Sequence, residues 1–218
     1  MDFSHTKRRL NRHPLSYAKV QRVVSAMIRN RRAFADIKQS GIYLDIGCGT
    51  NTHTDFCNLD YGWHMGIDVC WDITRGLPFP DHYVRGVFTE HCLEHFSLNT
   101  GLAILGEIHR IMRPRAVLRI VVPDGELYLR SYASRIALPY AQEDAANFPI
   151  ATPMVSVNRI FRKHGHLFIW DFETLAAALL KSGFHDVTKA AFGEGCDDKL
   201  LIDAPGRKIE SLYVEAIA

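Results

Sequence analysis

The stretch Y-L-D-I-G-C-G-T-N (residues 43–51) decides the fold of this chain of 218 residues. An apolar run typical of a β-strand leads directly into G-x-G. Gly47 and Gly49 permit positive φ angles there and let the backbone approach a ligand closely. Asp45 stands near the carboxyl end of the predicted strand, where open α/β sheets bind their ligands. We therefore expect a ligand site at the end of this strand.

Two common kinds of nucleotide site do not fit this stretch. Asn51 follows Thr50, so the third glycine of the dinucleotide fingerprint is missing, which argues against NAD or FAD. The sequence also has no G-K-[ST], so a triphosphate P-loop is excluded. Asp45 would repel a pyrophosphate but would attract a ligand that carries a cation. S-adenosylmethionine is such a ligand, because it has an α-ammonium and a sulfonium group.

Strand-like and helix-like segments alternate from residue 42 onward. The strand-like segments are 42–46, 56–60, 66–72, 84–90, 116–122, 185–192 and 211–217. Alternation of this kind predicts an α/β fold built on a doubly wound, mostly parallel sheet of seven strands. Only loop-like residues separate the last two strands, so we expect the last strand to be antiparallel.

Two helices between these strands have recognisable ends. The first is predicted from about residue 98 to 112, with Asn99 or Thr100 as its N-cap. The second is predicted over residues 171–182, with Asp171 as its N-cap.

D-I-G-C-G resembles motif I of the class I S-adenosylmethionine-dependent methyltransferases, in a type 11-like branch that acts on small molecules or glycans. Further stretches resemble later motifs of that family in the same order: N-L-D (58–60), D-I-T-R-G-L-P-F-P-D (72–81), H-C-L-E-H-F (91–96) and E-I-H-R-I-M-R-P-R-A-V-L-R-I-V-V-P-D (107–124). The resemblance covers roughly residues 42–123 and 166–218. It implies a Rossmann-like methyltransferase fold and an enzyme with S-adenosylmethionine as cofactor and S-adenosylhomocysteine as product.

The resemblance also implies which residues bind the cofactor. Asp60 would hold the ribose hydroxyls, while Asp72 and the backbone amide of Ile73 would meet the adenine. Asp68 is a rival for the ribose role, but it lies too close to Asp72 for separate ribose and adenine strands. The full set of expected cofactor residues is Asp45, Gly47, Cys48, Gly49, Asn51, Asp60, Asp72, Ile73 and Glu90. The short stretch between Gly49 and Asp60 implies that the family's first helix is abbreviated or lost.

H-C-L-E-H also fits H-x-x-E-H, an inverted zinc-protease signature. A zinc hydrolase is therefore an alternative, with His91 and His95 on one helix face beside Glu94 and with His164 or His166 as third ligand. Against this, the preceding segment predicts a strand that runs up to His91, whereas a metalloprotease needs both histidines inside a helix. The methyltransferase interpretation requires no metal.

Under that interpretation the same histidines lie at the mouth of the site. Methyl transfer requires alignment of the nucleophile and often removal of its proton, and alignment can be the larger part. A neutral histidine is a suitable base near neutral pH. The expected catalytic candidates are His91, His95 and His164, and each is also compatible with a packing role.

Residues 124–165 are not accounted for by the resemblance and form a long insertion after the fifth strand. An insertion of this length is typical of a lid or a substrate-binding element. Its basic and aromatic residues suit an anionic, sugar-like or aromatic acceptor, although a solvated surface explains them equally well. The residues expected to contact the acceptor are Arg130, Tyr140, Arg159 and His166.

The N-terminal segment carries most of the positive charge. Residues 1–38 hold ten Lys and Arg against two acids, and the remainder holds sixteen against twenty-two. Apolar residues recur among these charges at helical spacing, which predicts a basic amphipathic helix over residues 1–40, ahead of a methyltransferase domain over residues 41–218. Such a helix can bind anionic partners, nucleic acid included, or can simply be solvated.

The sequence also gives expectations about the cellular location of the protein and about its reaction. The five cysteines form no C-x-x-C, no apolar run approaches the ~20 residues of a membrane span and no secretory pattern is present, so a cytoplasmic protein is expected. The expected reaction is methyl transfer to an oxygen or nitrogen of a small-molecule or glycan acceptor. An RNA-modifying or nucleic-acid-binding protein and the zinc hydrolase are the alternatives, and a homodimer is left open.

Overall fold

The computed structural model describes residues 41–150 and 152–218, together with Val20, Val24 and Asn30. The predicted basic helix over residues 1–40 therefore lies almost wholly outside the described residues. The three described positions within it are helical, with both valines exposed and Asn30 buried.

The described residues form a seven-stranded sheet. Its strands are β1 Tyr43–Ile46, β2 Phe56–Asp60, β3 Val69–Cys70, β4 Val84–Glu90, β5 Met112–Pro123, β6 His185–Ala190 and β7 Ser211–Ile217. Their order is β3-β2-β1-β4-β5-β7-β6. Strands β1 to β5 pair in parallel, and β7 is antiparallel to both β5 and β6. The predicted α/β fold with a mostly parallel sheet and an antiparallel last strand is confirmed.

Five α-helices and several short 3-10 turns connect the strands in the described part of the chain. The α-helices are α1 Leu98–Ile111, α2 Gly125–Ala133, α3 Ala141–Asn147, α4 Pro153–Arg162 and α5 Phe172–Lys181. Helix α1 buries Ile104, Leu105, Ile108 and Ile111, the spacing of a helix with one apolar face. Helices α1 and α5 contribute to the main core over the sheet, which includes Leu44, Leu118 and Trp170.

Several predicted boundaries need correction. The N-cap of α1 is Ser97, whose hydroxyl accepts a hydrogen bond from the Thr100 N–H, so the helix starts before the predicted Asn99 or Thr100 cap. Asp171 caps α5 as predicted. Strand β3 has two residues where seven were predicted, and no helix occurs between Gly49 and β2, in agreement with the expected loss.

The two-residue strand β3 forms one edge of the sheet, and Asn30 lies against it. The Asn30 side chain donates to the Cys70 carbonyl oxygen at 2.9 Å and accepts from the Cys70 N–H at 3.0 Å. Among the described residues, this pair of hydrogen bonds connects the N-terminal segment to the sheet.

The insertion consists of α2, α3 and α4. It leaves the sheet at Asp124 and returns at Trp170, where the two residues form a parallel bridge. Its helices share a small core of their own, made of Tyr128, Leu138, Val157 and Ile160. The insertion is therefore a packed helical unit rather than a loop. Among all described helices, none combines the length and apolar character that a bilayer span requires.

A buried ion network fixes the loop between β6 and β7. Arg119 of β5 is 0% exposed and binds Asp203 at 2.7 Å and Glu215 at 3.0 Å. The loop that carries Asp203 then directs the Ala204 N–H to the Glu90 carboxylate at 3.0 Å. The network thus positions a loop over the carboxyl end of β4.

Candidate functional site

The G-x-G turn after β1 brings two strands close together. Gly47 has φ +74°, and a Cβ added there would lie 2.5 Å from the Cys92 sulfur. Its N–H donates to the Leu59 carbonyl of β2 at 2.8 Å. A side chain at this position would be strained and would clash, so glycine is required for the turn to pass between β2 and the end of β4.

Three adjoining cavities lie along the carboxyl edge of the sheet. The cavity beside β2, which we call the β2 cavity, has a volume of about 350 Å³ and is lined mainly by apolar and aromatic side chains. The β1 cavity, also about 350 Å³, is lined by the glycine turn and two acids. The histidine cavity, about 430 Å³, lies beneath the insertion. Gly47 borders the first two, and His91 with Arg207 borders the last two, so the three lie in a row, and we refer to them together as the groove.

Asp60 ends β2 at the wall of the β2 cavity. Its carboxylate accepts hydrogen bonds from the N–H groups of Gly49 at 3.0 Å and Gly62 at 2.9 Å. Asp68, the rival for its predicted role, is exposed and binds the backbone and side chain of Asn58 instead. Asp60 thus borders the β2 cavity, whereas Asp68 does not line it and instead holds Asn58 of β2 through hydrogen bonds.

Asp72 and Ile73 follow β3 at the far end of the β2 cavity. Asp72 caps the short helical turn that begins at Ile73, and its carboxylate binds both the N–H and the hydroxyl of Thr74. The aromatic rings of Trp71 and Phe96 line the same cavity. An acid, backbone amides and aromatic rings together suit a flat heterocycle with polar edges.

The β1 cavity is lined by two acids, the buried Asp45 and the half-buried Glu90. Asp45 is 2% exposed, and its Oδ1 atom has no hydrogen-bond partner among the described residues. Burial, followed by the charges of Glu90 and Asp60, raises the pKa of Asp45 to about 8. Burial also raises the pKa of Glu90, against the hydrogen bond from Ala204. Acids in these surroundings favour a cationic ligand, because a nearby positive charge would offset the cost of ionising them.

The histidine cavity gathers four imidazoles around a buried acid. It is lined by His91, His95, His164 and His166 together with Glu94. Burial lowers the pKa of all four histidines, that of His91 to about 3, and raises the pKa of Glu94 to about 8. Low dielectric surroundings favour the neutral form of each group, which explains both directions.

The helix that a zinc-protease motif requires is not formed by H-C-L-E-H. His91 has φ +50°, and Leu93–His95 is a single 3-10 turn. His91 Nε2 instead lies 2.8 Å from the Ser211 hydroxyl of β7. His91 and His95 therefore do not share a helix face, because the strand runs directly to His91 as the sequence indicated.

Of the four residues predicted to contact the acceptor, two line the histidine cavity and two lie outside all three cavities. Arg130 lies outside the three cavities: it is exposed on the surface of α2 and pairs with Glu126. Tyr140 also lies outside them, and its ring packs 4.9 Å from the Arg159 guanidinium. Arg159 and His166 do line the histidine cavity.

Arg159 has its charge largely satisfied within the insertion. It pairs with Asp144 at 3.1 Å and with Glu210 at 3.2 Å, and it binds the Tyr128 hydroxyl. These contacts tie α4 to α2, to α3 and to the segment before β7. Arg159 thus contributes to the shape of the cavity wall.

The expected cofactor residues all line the groove. Asp45, Gly47, Cys48, Gly49, Asn51 and Glu90 border the β1 cavity, and Asp60, Asp72 and Ile73 border the β2 cavity. Sequence reasoning missed Arg207 and Glu210, which come from the β6–β7 connection, and Ser211, the first residue of β7. No motif marks those residues, and only the antiparallel return of β7 beside β5 brings them to the site.

Comparison with known proteins places the fold. No protein-family model and no curated protein matches this sequence. A solved S-adenosylmethionine-dependent methyltransferase from Archaeoglobus fulgidus is similar over 91% of this chain and 94% of its own, with 20% identity and a TM-score of 0.51. One from Thermotoga maritima is similar over 92% and 94%, with 13% identity and a TM-score of 0.49. The likeness to the first confirms the class I methyltransferase fold.

Proposed function

We propose that this chain is an S-adenosylmethionine-dependent methyltransferase that acts on an oxygen or nitrogen of a small molecule or glycan. The observation that carries this proposal is the pair of acids beside the glycine turn, the buried Asp45 and the half-buried Glu90, in a cavity that continues past Gly47 to Asp60. A ligand with a cation at one end and a ribose and a flat heterocycle at the other fits this order, with its cation beside the two acids and its ribose beside Asp60.

Each part of the groove supports one part of the cofactor. Asp60, held by two backbone N–H groups, is suited to accept hydrogen bonds from two vicinal hydroxyls. Asp72 and the Ile73 amide are suited to the polar edge of the heterocycle, with Trp71 beside its face. Asp45 has an unsatisfied oxygen, which suits the α-ammonium, directly or through water.

The chemistry supplied by the cofactor is an electrophilic methyl group, which passes to the acceptor lone pair as the carbon–sulfur bond breaks and S-adenosylhomocysteine forms. The chain must align the acceptor and exclude water. His91 borders both the β1 cavity and the histidine cavity, which supports a role in aligning the acceptor. His95 and His164 border only the histidine cavity, which supports contact with the far part of the acceptor.

The nature of the acceptor is inferred from the histidine cavity. Its volume of about 430 Å³ falls within the range of small-molecule sites. Its acids and imidazoles favour a polar acceptor with hydroxyl or amino groups. The basic residues that motivated the nucleic-acid alternative lie outside the described part of the chain, so no observation here favours that alternative.

Calorimetry tests the proposal. We expect the wild-type protein to bind both S-adenosylmethionine and S-adenosylhomocysteine, and we expect Asp60→Ala to weaken binding of both by at least about tenfold, the effect of losing hydrogen bonds to a charged group. Asp68→Ala is the matched control, because it removes a neighbouring acid that does not line the β2 cavity. Absence of binding to the wild type, or equal losses in the two variants, would refute the assignment.

A further inference from the structure

Glu94 is a buried acid that the proposed methyl transfer does not use. It follows β4, is 0% exposed, and neither carboxylate oxygen has a hydrogen-bond partner in the part of the chain that the structure describes. The groups that face it are His91 Nδ1 at 3.7 Å and His166 Nε2 at 3.9 Å, both from its Oε1 atom. A buried acid without hydrogen-bond partners is costly, and a positive charge beside it would lower that cost and stabilise its ionised form.

The hydrogen bond made by His166 determines which of its two ring nitrogens keeps a free lone pair. Its Nδ1 lies 2.6 Å from the carbonyl oxygen of Ile160. Because a carbonyl only accepts, Nδ1 carries the proton, and the neutral ring directs the Nε2 lone pair towards Glu94. A backbone carbonyl behind one ring nitrogen is the usual support of a histidine whose other nitrogen ligates a metal.

His95 is the third potential ligand and lies beside His166. Its ring lies edge-on to that of His166, with centroids 5.0 Å apart. One ligand atom each from Glu94, His95 and His166 lie within 4.8 Å of one another. Ligands of a tetrahedral zinc ion lie roughly 3.4 Å apart, so small side-chain rotations bring the three atoms to bonding distance.

We propose that Glu94, His95 and His166 bind a divalent transition-metal ion of the zinc type. Two imidazoles and one carboxylate suit zinc, manganese or iron, whereas magnesium and calcium prefer oxygen ligands alone. Three protein ligands leave coordination positions open towards the histidine cavity. The sequence indicated no metal for methyl transfer, and its zinc alternative relied on a helical His91–His95 pair that is not formed.

The backbone already holds these ligands together. Glu94 and His95 follow β4, whereas His166 comes from the end of the insertion. The N–H groups of Leu167 and Phe168 both donate to the Glu94 carbonyl, at 2.8 and 3.2 Å. A metal ion would therefore join two segments that are fixed beside each other, and its site does not depend on the bound cofactor.

The test uses tag-free protein stripped with a chelator and titrated with zinc chloride by calorimetry, with magnesium chloride in parallel. We expect one zinc ion per chain and no comparable magnesium binding. Glu94→Gln and His95→Gln should each weaken zinc binding by at least about tenfold. His185→Gln, on the exposed β6 edge, is the matched control and should leave it unchanged. His95 is half-buried, so its variant keeps the test valid if Glu94→Gln misfolds.

Thermal unfolding separates a metal site from a protonated Glu94 that merely packs among histidines. Zinc should raise the melting temperature of the wild type and of His185→Gln by similar amounts, and it should raise that of Glu94→Gln clearly less. In chelator, Glu94→Gln should melt at or above the wild-type temperature, since an unpaired acid has been removed. Equal stabilisation of wild type and Glu94→Gln by zinc, or no stoichiometric zinc uptake by the wild type, would overturn the proposal.

Discussion

Replacement of Asp45 by asparagine should make the ligand-free protein more stable and should at the same time weaken cofactor binding. Asp45 is 2% exposed and leaves Oδ1 unpaired among the described residues. Its pKa is raised from 3.8 to about 8, chiefly by burial and then by Glu90 and Asp60. Asparagine keeps the shape of the side chain and removes its ionisation.

The sign of the effect follows from proton binding. Between about pH 4 and about pH 8 the unfolded chain has lost the Asp45 proton and the folded chain retains it. The stability that Asp45 contributes is therefore complete below about pH 4 and is lost as the pH rises to about 8. At 1.36 kcal/mol per pKa unit, a shift of about four units corresponds to a loss on the order of 5 kcal/mol.

Urea unfolding at a series of pH values measures this loss. The difference in unfolding free energy between Asp45→Asn and wild type should rise from about pH 4 to about pH 8 and then stay constant. A constant offset at all pH values reflects only the packing of the new amide, so the slope is the tested quantity. A difference that does not change with pH would refute the reasoning.

Cofactor binding by the same variant gives a second, opposite readout. Loss of one charge-assisted contact should weaken S-adenosylmethionine binding by about tenfold or more. S-adenosylhomocysteine keeps the ammonium but lacks the sulfonium charge. Equal losses for the two ligands would place Asp45 beside the ammonium, and a loss confined to S-adenosylmethionine would place it beside the sulfonium.

Two further predictions concern stability. Arg119→Met should lower the unfolding free energy in urea by about 3–5 kcal/mol, because Asp203 and Glu215 would stay buried without their partner; a loss below about 1 kcal/mol would contradict this. Gly183→Ala should lower the unfolding free energy by about 1–2 kcal/mol, because φ is +104° there and the new Cβ would lie 2.9 Å from the His109 ring; an unchanged melting temperature would contradict this, since movement of the ring cannot relieve the backbone strain.

Much of the fold and the cofactor side of the groove could be predicted from the sequence, because both depend on local patterns. Alternating apolar segments define the strands, and in a parallel sheet the residue that ends each strand reaches the same edge. Asp45, Asp60 and Glu90 could therefore be assigned to one site without knowledge of packing. The Asp171 cap was likewise a local signal.

The remainder depends on contacts between distant segments. Arg130 was expected at the acceptor site, but sequence alone does not define which face of α2 packs inward, and Arg130 lies on the outer face. The association of His166 with Glu94 requires the insertion to return beside β4. Arg207 reaches the groove from the loop that follows Asp203, and Asp203 is held by the distant Arg119 of β5. None of these contacts leaves a periodic or motif-like trace in the sequence.

The hydrogen bonds of Asn30 to Cys70 bear on how the protein avoids self-association. A terminal strand offers unpaired N–H and C=O groups on which a strand of another molecule can add. In the two-residue β3, one asparagine side chain occupies both the N–H and the C=O of Cys70. The opposite edge, β6, carries His185, Asp186 and Lys189 and has an irregular register between His185 and Thr188. Within the described residues, the outward backbone groups of Cys70 at one edge are therefore occupied, and the opposite edge carries polar and charged side chains that oppose the addition of a strand from another molecule.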